Sequence, residues 1–118
     1  MALPFRRPIP EGALPPDQVR ILSVETEPYP SGDKVRVLIE MTPFENAPNL
    51  EFVITDARGQ EVGRASVIEA VTESLTITMH LRSPDFENPL NLSAQLGYSD
   101  LGVTDSKQVT FSAPQAPE

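Results

Sequence analysis

Apolar residues recur at every second position along most of this chain, and no other feature constrains its fold as strongly. Val35, Val37, Ile39 and Met41 form one such series, and Leu50, Phe52 and Ile54 another. Leu75, Ile77, Met79 and Leu81 follow, then Leu90, Leu92, Ala94, Leu96 and Tyr98. Side chains of a strand alternate between its two faces, so a period of two means one buried face and one wet face. About seven such segments, separated by turn-forming residues, describe an all-β chain folded as an antiparallel β-sandwich. By parity, Met41, Phe52, Ile77 and Leu92 belong to the core.

Turn residues divide the strands. The first strand is expected from near Val19 to about Glu27. Its parity is broken, because Val19 and Ile21 fit one face while Leu22 and Val24 fit the other, and either a bulge or a strand that crosses between sheets would reconcile them. Tyr29-Pro30-Ser31-Gly32 has the Pro and Gly placement of a type I turn. The second strand runs from about Lys34 to Thr42, where Pro43 cannot donate to a ladder. The third covers about Leu50 to Asp56, and Asp56-Ala57-Arg58-Gly59 turns it tightly into a fourth from Glu61 to Glu69, with Gly63 marking a possible bulge site. Strands from Glu73 to Arg82, Leu90 to Ser99 and Lys107 to Ser112 complete the set, the last with Val109 and Phe111 inward. Helical periodicity is absent, and Val67 to Val71 is the one place with room for a helical turn.

The ends differ in character. Residues 1–18 contain Pro4, Pro8, Pro10, Pro15 and Pro16, which favours an extended, polyproline-like N-terminal arm. Residues 113–118 are a Pro-containing tail expected to fray, leaving residues 19–112 as the domain. If successive strands run antiparallel, alternate loops gather at opposite ends. One end collects residues 43–49, 70–72 and 100–106, and the other residues 28–33, 57–60 and 83–89. Rigid sheets commonly present binding sites on such loop clusters.

A chain of 118 residues is long enough for one self-sufficient core, and it contains no cysteine, so packing alone must hold that core. The formal net charge is −8, which repels phosphate backbones and anionic lipid and argues against nucleic-acid or membrane partners. Arg6 and Arg7 near the start suggest the basic end of a leader, yet no apolar run follows them. Nor is there a stretch of about 18 apolar residues to span a bilayer. A soluble chain without an export signal is therefore expected, cytoplasmic unless it is cut from a longer secreted protein.

The segments Val19-x-Ile21…Val24 and Pro30-Ser31-Gly32-Asp33-x-Val35-x-Val37 resemble the first hairpin of the immunoglobulin-like superfamily, in the style of fibronectin type III and bacterial adhesion modules. The Val53 to Val62 hairpin is similar to one in bacterial surface modules, and the resemblance covers residues 19–112. It implies an immunoglobulin-like sandwich serving as a binding, spacer or assembly module. The buried Trp frequent in the family is missing, with Phe52 available for its place. Leu90 and Leu92 stand where a tyrosine corner would be, and Tyr98 comes too late for it.

Catalytic groups are sparse. His80, the single histidine, lies between inward Met79 and Leu81 and should face solvent, where a general base lacks both pocket and partner. No Gly-x-Ser-x-Gly elbow or Gly-rich phosphate loop occurs. Asp100 and Asp105 flank the expected loop between the last two strands, and Glu45 with Asn46 lies at the same end. Oxygen ligands converging there could take calcium, but no dense Asp-x-Asp run is present and solvated loop acids are the ordinary reading. Asp85 and Glu87 near Asp33 read the same way. Phe44, Leu101 and Val103 could form an apolar contact patch at this end, against the ordinary reading that they cap the core. Arg7-Pro8-Ile9-Pro10 loosely matches ligands of aromatic grooves but reads as linker, and the Asn91-Leu92-Ser93 sequon falls mid-strand.

These observations lead to a non-enzymatic protein–protein interaction or assembly module, using no cofactor or metal and acting on another protein or on itself. Its expected contact surface is an edge strand or the loop end holding Phe44, Glu45, Asn46, Asp100, Leu101, Val103 and Asp105. Two alternatives stay open: a carbohydrate-binding or carbohydrate-enzyme accessory domain, which as a sugar binder needs a row of exposed aromatics, and a purely structural homo-oligomer subunit.

Overall fold

Strict alternation predicts strands with one buried side, and burial follows it in the four segments that alternate without interruption, beginning at Val35, Leu50, Leu75 and Leu90. The computed structural model describes Ile9, residues 11–82 and residues 85–114. After a short 3-10 turn at Pro16–Gln18 come seven strands: β1 (Ile21–Pro28), β2 (Lys34–Met41), β3 (Asn49–Thr55), β4 (Glu61–Val67), β5 (Ser74–His80), β6 (Leu90–Tyr98) and β7 (Gly102–Phe111). They pair antiparallel in two sheets, ordered β1-β2-β5 and β4-β3-β6-β7. The architecture is all-β, with two sheets enclosing one apolar core. Among the described residues no helix is long and apolar enough to cross a membrane.

Phe52, Ile54, Leu92, Ala94 and Leu96 from one sheet meet Val35, Val37, Ile39 and Met41 from the other, all buried. Phe44 and Phe86, both on loops, close the core at its ends. Leu75 and Ile77 are only partly buried, although parity points them inward, because β5 is the last strand of its sheet. The parity break in the first strand is a bulge: the register slips between Ile21 and Ser23, so Ile21 and Val24 both turn inward and Leu22 turns out. A second slip sits beside Gly63, where Val62 and Gly63 are both buried.

Three expectations are corrected. No helical turn occupies residues 67–71; Val67 ends β4, and Glu69 has φ +51°, a left-handed conformation that no right-handed helix accommodates. The last strand begins at Gly102 rather than Lys107, so most of the expected loop over residues 100–106 is strand. Gly102, at φ +72°, closes the tight turn before it, with the Leu101 N–H donating to the Tyr98 carbonyl at 3.2 Å. Finally, the chain ends are held where they enter the domain. Leu14 bridges Phe44 in parallel fashion, and Ala113 is buried, exchanging two hydrogen bonds with the Asn88 side chain at 2.8 and 3.0 Å. The remainder of the expected arm (residues 1–8 and 10) and of the tail (115–118) lies outside the described residues.

Candidate functional site

The β2–β3 loop, the β4–β5 loop and the β6–β7 turn come together at one end of the sandwich, as alternating strand direction requires. The Ala70 N–H donates to the Pro48 carbonyl at 2.8 Å, and the Glu69 N–H to Asn49 Oδ1 at 2.9 Å. The Tyr98 hydroxyl, at the end of β6, donates to the Asn46 carbonyl at 2.8 Å. Tyr98 thus pins the β2–β3 loop with its polar tip while its ring stays in the core. Tyr98→Phe should lower stability by about 0.5–1.5 kcal/mol and loosen residues 45–48, read by urea unfolding and amide exchange.

The residues singled out from sequence separate into three groups here. Phe44 is fully buried, with its backbone bracketed by Leu14: the Leu14 N–H donates to Pro43 and the Glu45 N–H to Leu14, each at 3.0 Å. It belongs to the core and not to a surface patch, because the docked Leu14 segment turns the loop inward. Asp105 is likewise removed from the loop end. It sits on β7, and its Oδ2 accepts the Ile21 N–H at 2.8 Å, tying β7 to the bulged start of β1 across the two sheets. That leaves Glu45, Asn46, Asp100, Leu101 and Val103 exposed around the end. Asn46 and Asp100 line one hollow of about 270 Å³ with Asn49, Glu69 and Ser99.

A second hollow, of about 260 Å³, lies on the outer face of the β4-β3-β6-β7 sheet, between Ile68 and Val103. Gly97 forms part of its lining, and a methyl group there would sit 2.6 Å from the Gly102 carbonyl oxygen, so the β6–β7 approach itself demands glycine. Ile68 and Val71, both 73 % exposed, join Leu101 at 49 % and Val103 at 58 % as uncovered apolar groups. Ile68 and Val71 escaped the sequence reading, although adjacent Val67 and Ile68 carry the signal: two neighbouring strand residues cannot both face inward. Beside the hollow, Glu51 pairs with Arg64 and accepts the Ser66 hydroxyl at 3.1 Å. Arg64 also reaches Glu61 at 2.7 Å, and Arg82 reaches the same carboxylate at 2.9 Å. Hydrogen bonding from Arg64, reinforced by Arg82, holds the Glu61 carboxyl below the usual carboxylate range.

The opposite end is organised by Asp56, the buried carboxylate of the β3–β4 turn. Its Oδ1 accepts the Arg58 and Gln60 N–H groups at 3.0 Å each. Its Oδ2 accepts the Glu87 N–H at 3.2 Å and the Arg58 guanidinium at 3.0 and 3.1 Å. Arg58 in turn donates to the Asp85 carbonyl at 2.6 Å. Burial pushes the Asp56 pKa up, but the hydrogen bonds from Gln60, Glu87 and Arg58 outweigh it and hold the carboxyl below its ordinary value. Every acceptor site of Asp56 serves the fold, which leaves it no proton to move for a substrate. Asp85 and Glu87 are engaged at this turn, whereas the Asp33 side chain takes the Ser31 hydroxyl. His80 is exposed at the end of β5, opposite Lys34. Among the described residues no group of three His, Asp or Glu side chains is placed to hold a metal ion.

No protein-family model matches the sequence, and no curated protein matches it. Solved structures do. A glycosyl hydrolase family 2 member from Bacteroides cellulosilyticus DSM 14838 superposes with a TM-score of 0.56 at 20 % identity, over 80 % of this chain and 15 % of that one. Lactobacillus rhamnosus β-glucuronidase gives 0.54 at 19 % identity, over 81 % of this chain and 16 % of the other. The FMN-binding β-glucuronidase of Facaelibacterium prausnitzii L2-6 gives 0.52 at 18 %, over 76 % and 14 %. The likeness is one of fold. This chain spans about one-seventh of the length of each of these proteins.

Proposed function

We propose that the chain is a non-catalytic accessory sandwich of a carbohydrate-acting protein, working through contacts with protein rather than with sugar. One observation carries this reading: most of the chain superposes on a small part of three glycoside-cleaving or glycosyl-hydrolase chains. We infer further that the sandwich is immunoglobulin-like. Its sheets correspond to the A-B-E and C-F-G strands of that fold, with the fourth strand carried to the edge of the second sheet.

Direct sugar binding lacks support. Phe44, Phe52, Phe86 and Tyr98 are buried, and Tyr29 and Phe111 are partly buried, so no described aromatic ring stands fully exposed as a stacking platform. Protein contact is favoured by the uncovered Ile68, Val71, Leu101 and Val103 near one end. Turnover is disfavoured by the outward His80 and the fully engaged Asp56.

Three measurements test the proposal. Against a panel of aryl glycosides, glucuronides included, the chain should show no turnover, and oligosaccharides in affinity gels should not retard it. Cross-linking in cells through Lys34 and Lys107 should join it to a carbohydrate-acting polypeptide, or reveal it as part of one. Glycoside cleavage, or a cross-linked set without any carbohydrate-acting protein, would overturn the reading.

A further inference from the structure

Each sheet has two edges, and an edge strand presents unpaired backbone groups that invite another strand. Three of the four edges carry a feature that discourages pairing. β1 is bulged at Leu22, holds Glu25 and Glu27, and ends at Pro28, which has no N–H. β4 is bulged beside Gly63, and its Val62 carbonyl already accepts the Arg82 N–H at 2.8 Å. β7 is bulged opposite Leu96 and Gly97, and Lys107, paired with buried Ala94, stands at an inward register position where it would bring a charge into any extended core. β5 is different. Its sequence Ser-Leu-Thr-Ile-Thr-Met-His contains no Pro, Gly, Lys, Arg, Asp or Glu, and it pairs with β2 over its whole length without a slip.

Backbone direction defines which part of β5 is open. The Met41 N–H donates to Glu73 and the Leu81 N–H to Asp33, each at 2.8 Å, so the odd-numbered residues aim their backbone groups at β2. The even-numbered ones, Ser74, Thr76 and Thr78, therefore aim theirs outward. Beyond Thr78 the other sheet covers the edge: Arg82 bonds Val62, and a methyl group at Gly63 would lie 3.2 Å from the His80 carbonyl oxygen. Among the described residues, the one backbone bond reaching Ser74–Thr78 from outside the β2 pairing is Ser74 N–H to Thr72 Oγ1, at 3.4 Å.

We propose that this edge joins two copies of the chain, β5 against β5, antiparallel about Thr76. The segment is self-complementary in that register. Thr76 meets the partner's Thr76, Ser74 meets the partner's Thr78, and half-buried Leu75 meets the partner's Ile77, with about six backbone hydrogen bonds across the seam. Charge favours the same arrangement. Lys34 lies beside His80, and Arg36, which also reaches Glu27 at 3.5 Å, beside Thr78 at one end of β5, while Glu40 lies beside Ser74 at the other. Antiparallel self-pairing therefore sets the basic end of one copy alongside the acidic end of its partner. The strand itself holds none of the acidic groups behind the net charge of −8. Two three-stranded sheets become one of six strands.

Sedimentation of the full chain over a concentration series should show a reversible monomer–dimer equilibrium. The Thr76 and Thr78 amides should gain protection from hydrogen exchange as concentration rises. T76K opposes two like charges at the symmetry point on the outer face and should weaken dimerisation at least tenfold, with partial recovery in high salt and with the unfolding midpoint unchanged at concentrations where the wild type is monomeric. Q108K on the β7 edge should leave the dimer intact. Sedimentation as monomer up to about 1 mM, dimerisation insensitive to T76K, or a dimer whose Thr76 and Thr78 amides stay unprotected would each overturn the proposal. If T76K fails to fold, the wild-type amide-exchange series decides alone.

Discussion

Phe44→Ala should cost about 3–5 kcal/mol of folding stability, a large part of the roughly 5–15 kcal/mol by which a domain of this size exceeds its unfolded state. The ring is wholly excluded from solvent, and the Leu14 bridge holds its loop against the core, so truncation leaves a cavity that cannot readily collapse. Leu101→Ala, at the neighbouring turn, should change stability by less than about 0.5 kcal/mol because that side chain already faces water. Urea unfolding of the two variants separates a core role from a contact role. Equal effects at both positions would contradict the burial seen here.

Asp56→Ala should be the most damaging polar substitution, lowering the unfolding midpoint by of order 10 °C. It orphans the Arg58, Gln60 and Glu87 N–H groups together and removes a carboxylate from the Arg58 guanidinium, loosening the β3–β4 turn from residues 85–87 while the Ala57 N–H to Glu87 and Arg58 to Asp85 bonds remain. Asp56→Asn tests the charge at nearly constant shape. The folded carboxyl titrates below its unfolded value of about 3.9, so its stabilisation is complete above that pH and is lost as pH falls through the lower, folded pKa. The gap in stability between wild type and Asp56→Asn should thus be constant from pH 7 to about 4 and close on further acidification. Thermal melts across that range measure it. A gap that does not narrow at all as the pH falls below about 4 would show that the charge is not what binds the turn.

Most of the strands could be read from the sequence because alternation is a local property. Val35 to Met41 and Leu90 to Tyr98 carry it without interruption, and turn residues such as Gly59, at φ +85°, mark the Asp56–Gly59 turn by conformational need. The start of β7 was not legible. Gly102 to Ser106 reads as a polar loop, and the slip opposite Leu96 and Gly97 inverts its parity, leaving Val103 in the wet and Asp105 toward the other sheet. Phe44 was ambiguous for a related reason. A loop residue has no period, and its burial depends on Leu14, thirty positions earlier in the chain.

What the amino-acid sequence determined by itself is the two-faced strand pattern, the turns and the outward placement of His80, all of which follow from spacing between near neighbours. Tertiary structure alone decided that Asp56 is a hub, that Asp105 bridges sheets, that Phe44 is core, and that β5 is an open edge. Each of those depends on partners brought together by strand pairing across long stretches of chain, which spacing between near neighbours does not encode.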